Sequence, residues 1–207
     1  MNVYYDYAFD GIWQIGDDIS SSCMPEANPG DIKIRDANND GKIDADDRVV
    51  MKRDPDWIGS LSTSLSWKGI DLSAEIYASV GGTLYNKYLT SFETGGDMTG
   101  KRNGLRRNYW TVNNPSNEAP APNMTQPPAY ISALGYQDAG YIRLRNLQIG
   151  YNFPKSIIEK AYMQNLRLYM TFTNLWTRTD VLGNGPEGDT GAYPEPRVFL
   201  LGLNVTF

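Results

Sequence analysis

Residues 57–80 read WIGSLSTSLSWKGIDLSAEIYASV, and their reading decides the fold. In the first half, Trp57, Leu61, Leu65 and Trp67 fall on one side of an extended chain, and Ser60, Ser62, Ser64 and Ser66 on the other. In the second half, Ile70, Leu72, Ala74, Ile76 and Ala78 alternate with Asp71, Ser73, Glu75, Tyr77 and Ser79. A period of two is the mark of a strand with unlike faces. Lys68-Gly69 between the halves predicts a tight hairpin turn.

The same period recurs along the chain. Val3, Tyr5, Tyr7 and Phe9 share a face, as do Leu147, Ile149, Tyr151 and Phe153, then Leu166, Leu168, Met170 and Phe172, and finally Phe199, Leu201, Leu203, Val205 and Phe207. The segment 155–164, KSIIEKAYMQ, carries the one helical pattern, of one or two turns. Between the strands lie long Gly-, Asn- and Pro-rich connections over 10–56, 81–139 and 177–196. The expectation is an all-β protein of about six antiparallel amphipathic strands, 8–12 residues each, with no domain boundary and no internal repeat.

Composition narrows the function. The 207 residues include no histidine and a single cysteine, Cys23. That removes most zinc sites, Ser-His and Cys-His catalysis and any internal disulfide. Cys23 reads as an incidental loop residue. The net charge of −5 speaks against nucleic acid as a partner. No nucleophile, base and acid stand together, so an enzyme is not expected. The N-terminus, NVYYDYAFDG after Met1, is not a secretory signal, and no apolar run approaches a membrane-spanning helix.

Residues 36–47, DANNDGKIDADD, have the spacing of a calcium loop. Asp36, Asn38 and Asp40 occupy positions 1, 3 and 5, with Gly41 at the turn. Lys42 offers its carbonyl at position 7, Asp44 falls at position 9 and Asp47 at position 12. The flanks are not helices: SSSCMPEANPGDIKI (20–34) holds two prolines, and Pro55 breaks the run downstream. An EF-hand is thereby excluded, leaving a possible structural calcium site. The other reading of the motif is a metal-free turn, its Asp side chains bonding local backbone.

An amphipathic sheet suits either a soluble core or a membrane. Three features favour the membrane. Short turns (Lys68-Gly69 and 154–164) alternate with long connections, as in outer-membrane barrels. Trp57, Trp67, Tyr151, Phe153, Trp176 and Phe207 sit at strand ends, where interfacial girdles belong. The chain closes on Phe207 in phase with the apolar face, which resembles the recognition signal of bacterial outer-membrane proteins and suggests a native C-terminus.

The run PGDIKIRDANNDGKIDADDRVVM (29–51), the stretch YIRLRNLQIGYNFP (141–154), and YMTFTNLW (169–176) followed by YPEPRVFLLGLNVTF (193–207) resemble, in this order, SusC/RagA-type TonB-dependent outer-membrane transporters of Bacteroidetes. The resemblance implies the C-terminal part of a transmembrane β-barrel of about 22 strands, whose plug domain and N-terminal strands are absent from these residues. It implies location in the outer membrane, import of oligosaccharides or peptides, a SusD-like surface lipoprotein as partner, and energy from the TonB complex through the missing N-terminal part. The calcium-type loop then lies on the extracellular rim, where millimolar calcium fills even a weak site of about 10⁻⁴–10⁻³ M.

Asp71, Ser73, Glu75, Tyr77, Arg143, Arg145, Arg167 and Tyr169 are expected to face the lumen. Tyr109, Trp110, Tyr130 and Tyr193 are candidates for stacking on cargo or touching the lipoprotein, and the charges of KRNGLRR (101–107) read as a solvated loop face. The alternative function is a soluble or secreted β-rich glycan-binding module with one structural calcium loop.

Overall fold

The computed structural model describes residues 2–90, 107–122, 128–183, 185–187 and 193–207. Through these run the strands β1 (Val3–Tyr7), β2 (Phe9–Ile12), β3 (Ile32–Ile34), β4 (Arg48–Lys52), β5 (Trp57–Trp67), β6 (Ile70–Val80), β7 (Thr83–Tyr85), β8 (Tyr136–Asp138), β9 (Tyr141–Asn152), β10 (Asn165–Thr179) and β11 (Val198–Thr206). Two short helices, α1 (Lys87–Thr90) and α2 (Lys155–Ile158), complete the regular structure with a few 3-10 turns. The protein is all-β, and its paired strands among the described residues are antiparallel.

The chain divides into two units, which corrects the expectation of no boundary. One comprises Met1–Asp54, Gly82–Asp138 and Val181–Ala192; the other comprises Pro55–Gly81, Ala139–Asp180 and Tyr193–Phe207.

The second unit is a single five-stranded sheet in the order β11-β10-β9-β6-β5. Lys68 and Gly69 turn β5 into β6 with φ of 49° and 85°, the left-handed pair that matches strand twist in a two-residue hairpin. Toward the short-turn end the register runs unbroken across all five strands. Leu65 stands opposite Leu72, Leu72 opposite Ile149, Ile149 opposite Met170 and Met170 opposite Leu201, one apolar row over five strands. The next row is polar or glycine: Ser66, Asp71, Gly150, Tyr169 and Gly202. Period two in the sequence has thus become two chemically opposite faces. Pro154 ends the ladder after β9, and 155–161 makes the expected one or two helical turns.

The first unit folds the segments that the sequence presents as loops. The 10–56 connection contains β2, β3 and β4, and 81–139 contains β7, α1 and β8. Val3–Phe9 is not a sixth strand of the large sheet. Its residues 3–7 form β1, paired with β4, while Phe9 begins β2, paired with β3. A small core of Ile12, Ile32, Ile34, Trp110, Ala133 and Leu134 holds this unit together.

Candidate functional site

The apolar face of the five-stranded sheet carries large side chains that stand exposed. Leu61 is 70% exposed, Leu201 67%, Trp67 66% and Trp57 57%, a contiguous apolar surface of the kind that marks an interaction site. Trp67, Tyr151 and Phe207 stand toward the short-turn end, Trp57 and Trp176 toward the long-connection end.

The opposite face gathers the residues expected to face a lumen. Tyr77 pairs in register with Arg143, Glu75 with Asn146, Ser73 with Gln148 and Asp71 with Gly150. The pairing shifts between Glu75 and Ile76, and this irregularity lets Arg145 stack over Tyr77, 3.6 Å from the ring centroid. Arg143 stands over Tyr141, and Arg167 over Tyr169, each at 5.0 Å. Asn146 donates to Glu75 at 3.0 Å, and Gln148 donates to Thr171 at 3.1 Å. Two ion pairs complete the face: Arg167 with Asp71 and Arg143 with Glu195. Sequence patterning placed Arg143 here but missed Glu195. The available signal was a carboxylate held between two prolines just ahead of the last strand.

In the first unit, all six residues of the calcium-type motif lie in one tight loop. Asp36 Oδ1 accepts the backbone N–H of Asn39 at 2.6 Å, and its Oδ2 accepts that of Gly41 at 2.9 Å. Asn38 Oδ1 accepts from Asp40 N and Asp40 Oδ1 from Lys42 N, both at 2.9 Å, while Asp44 Oδ1 caps the 3-10 turn at Asp46 N. Asp47 is fully buried and binds the N–H groups of Ala37 and Asp44, each at 2.8 Å. The Asp44 N–H, foremost among these donors, holds the Asp47 carboxyl below the usual carboxylate range. Gly41 takes φ of 83°, as the turn requires. The all-oxygen donor set suits calcium chemically. These carboxylates are directed to backbone N–H groups, and among the described residues no three acidic side chains converge in a metal cage.

The four aromatic candidates separate. Trp110 is buried in the core; its indole N–H donates to Gln14 Oε1 at 2.9 Å, and its ring fills the space where a Cβ on Gly30 would fall. It therefore offers no stacking face, which corrects the expectation. Tyr130 packs against the same core and meets Tyr7 edge-on at 5.0 Å; burial raises its hydroxyl pKa. Tyr109 is half-buried with Arg107 at 6.0 Å. Tyr193, in the second unit, is 97% exposed and keeps both ring faces open. Residues 101–106 of the basic stretch lie outside the described residues.

Known proteins match this arrangement over the whole chain. TonB-dependent receptor P3 of Formosa agariphila is 29% identical across 99% of the chain, and TonB-dependent receptor P26 of the same organism is 30% identical across 99%. TonB-dependent receptor SusC of Bacteroides thetaiotaomicron is 28% identical across 83%. In sequence the chain is similar, over most or all of its length, to TonB-dependent receptors, SusC among them. Solved structures agree on the fold: the RagAB peptide transporter superposes over 100% of the chain at a TM-score of 0.65 with 25% identity, and the "open-open" RagAB peptide importer at 0.67 with 23% identity. No protein-family model matches. The chain spans 22% of the length of the first two receptors and 17% of SusC, about a fifth of such proteins. Its relatives carry the names of receptors and transporters, not of enzymes.

Proposed function

We propose that the five-stranded sheet is part of the wall of an outer-membrane, TonB-dependent importer, with its apolar face against lipid and its polar face lining the passage. The observation that carries this is the exposed apolar face with aromatic residues at both of its ends. Its dimensions fit. β5 has 11 residues from Trp57 to Trp67. At ~3.3 Å per residue and a tilt of ~40°, this gives an apolar band of ~25 Å, the height of such a barrel's lipid-facing belt. No helix among the described residues is long and apolar enough to cross a membrane, which is silent on strand-built walls.

In this reading the importer carries oligosaccharides or peptides, works with a SusD-like surface lipoprotein and draws energy from TonB through N-terminal parts outside these residues. The likeness to a peptide transporter supports the peptide class, and the oligosaccharide class rests on the family resemblance of the sequence. Tyr193 is the aromatic best exposed to meet cargo or lipoprotein. Asp36, Asn38, Asp40, the Lys42 carbonyl, Asp44 and Asp47 are the oxygen donors that would hold a calcium ion, and its charge would stiffen the loop.

Alone, these strands leave two unpaired edges, which a bilayer does not tolerate. The isolated 207-residue chain is therefore expected to need detergent or lipid to stay in solution and to form no stable pore. Recovery of a monodisperse, detergent-free chain would refute the lipid-facing assignment. Stable channels in a planar bilayer would refute the need for the remaining strands.

A further inference from the structure

The last strand is entered through Tyr193-Pro194-Glu195-Pro196-Arg197. The two prolines lack backbone N–H groups, and Glu195 ahead of Pro196 is confined to extended conformations. The segment cannot join the ladder, which starts only at Val198. It is a stiff strap that presents one carboxylate.

That carboxylate lands on Arg143. Arg143 lies on β9, and β10 separates β9 from β11, so Glu195 reaches across a whole strand. The receiving guanidinium is already fixed. Its Nε donates to Thr177 Oγ1 of β10 at 3.0 Å, its plane stands over Tyr141, and it is only 4% exposed against 37% for Glu195. A buried guanidinium carries a desolvation cost that a carboxylate offsets, so its burial and the strap's position depend on each other.

A second contact lies nearby. The pairing of β10 with β9 shifts between Thr173 and Trp176. Inside the shift, Asn174 takes φ of 53°, a left-handed conformation that asparagine adopts more readily than most residues. Its side-chain amide donates to the Pro196 carbonyl at 3.4 Å. One contact thus holds the strap's side chain and the other its backbone, at adjacent residues.

We propose that these contacts form a two-point latch, Arg143–Glu195 and Asn174–Pro196, that keeps the strap 193–197 on the polar face of the sheet. Glu195 is the releasable half, because it is the exposed partner on a segment outside the ladder. While it is engaged, the Arg143 guanidinium is covered by the chain's own carboxylate. Release of Glu195 uncovers it. The latch stands on geometry within one sheet and does not depend on what passes the wall.

Trypsin cleavage after Arg197, followed by mass spectrometry as the appearance of the new N-terminus at Val198, reads the strap directly. The protein is used at its native length in mild detergent, with cleavage after Lys160 in the short connection as the internal reference. Glu195→Gln and Arg143→Met are expected to speed cleavage after Arg197 by at least about tenfold, the scale on which losing a buried ionic partner favours local opening, with the reference unchanged. Asn174→Gly keeps the left-handed backbone while deleting the amide, and should speed cleavage several-fold. The double variant Arg143→Met with Glu195→Gln should cleave no faster than the faster single one. Unchanged cleavage in Glu195→Gln, or multiplied effects in the double variant, overturns the latch. If Arg143→Met fails to give the strand band in the infrared, Glu195→Gln and Asn174→Gly decide the question alone, since both replace exposed or partly exposed side chains.

Discussion

Arg167 of β10 grips Asp71 of β6 with bonds of 3.1 and 2.5 Å, although β9 lies between their strands. The pair closes over Gly150, where an added Cβ would lie 2.6 Å from both Asp71 oxygens and 2.7 Å from the Arg167 nitrogen. The glycine is thus the gap through which two non-adjacent strands are tied. Gly150→Ala should push the pair apart and destabilise the sheet by about 1–3 kcal/mol, read as a lower denaturant midpoint in detergent. A midpoint equal to the wild type's would show that the pair adjusts freely.

Leu61 and its neighbour Ser62 point to opposite faces near the middle of β5. If Leu61 faces lipid, Leu61→Arg should cost about 2–4 kcal/mol on folding into bilayers, and Ser62→Arg far less. Equal costs at both positions would contradict the assignment of faces.

Asp47 sets a pH window for the acidic loop. Its carboxyl is held below the usual range by backbone N–H groups, first that of Asp44. A depressed folded pKa stabilises above the unfolded value of about 3.9 and loses that contribution as pH falls through the lower folded value. Hydrogen exchange at Ala37 and Asp44 should therefore stay protected at neutral pH and lose protection only below about pH 4. Asp47→Asn should remove this dependence, and an unaltered profile in that variant would assign the loss to another group.

Calcium titration by calorimetry tests the loop as a metal site. A heat with Kd of about 10⁻⁴–10⁻³ M is expected, and it should vanish in the Asp36→Ala, Asp40→Ala variant. The same heat in both proteins would place the binding elsewhere.

The five-stranded sheet was legible because alternation over eight or more residues leaves one orientation for each strand. Partner choice was less legible. Val3–Phe9 alternates as well as the others, yet β1 pairs with Arg48–Lys52, because period two identifies a strand and not its neighbour. Strands of three to five residues, such as Ile32–Ile34, are too short for a period to register, so the first unit read as loop. Trp110 looked available because its burial rests on Gly30 and Gln14, 80 and 96 positions away along the chain. Glu195 was missed for the same reason: its partner is 52 residues distant. The acidic motif was legible as a loop from residue spacing alone, and the bonds that shape it are local.

The Trp57–Trp67 strand carries two separable instructions. Removing one residue would send every side chain beyond it to the wrong face. Removing two would keep each side chain on its own face and shorten the strand by about 7 Å, leaving the surrounding bilayer to thin around it. In the proposed wall, parity decides which side is wet, and residue count decides how thick a membrane it is cut for.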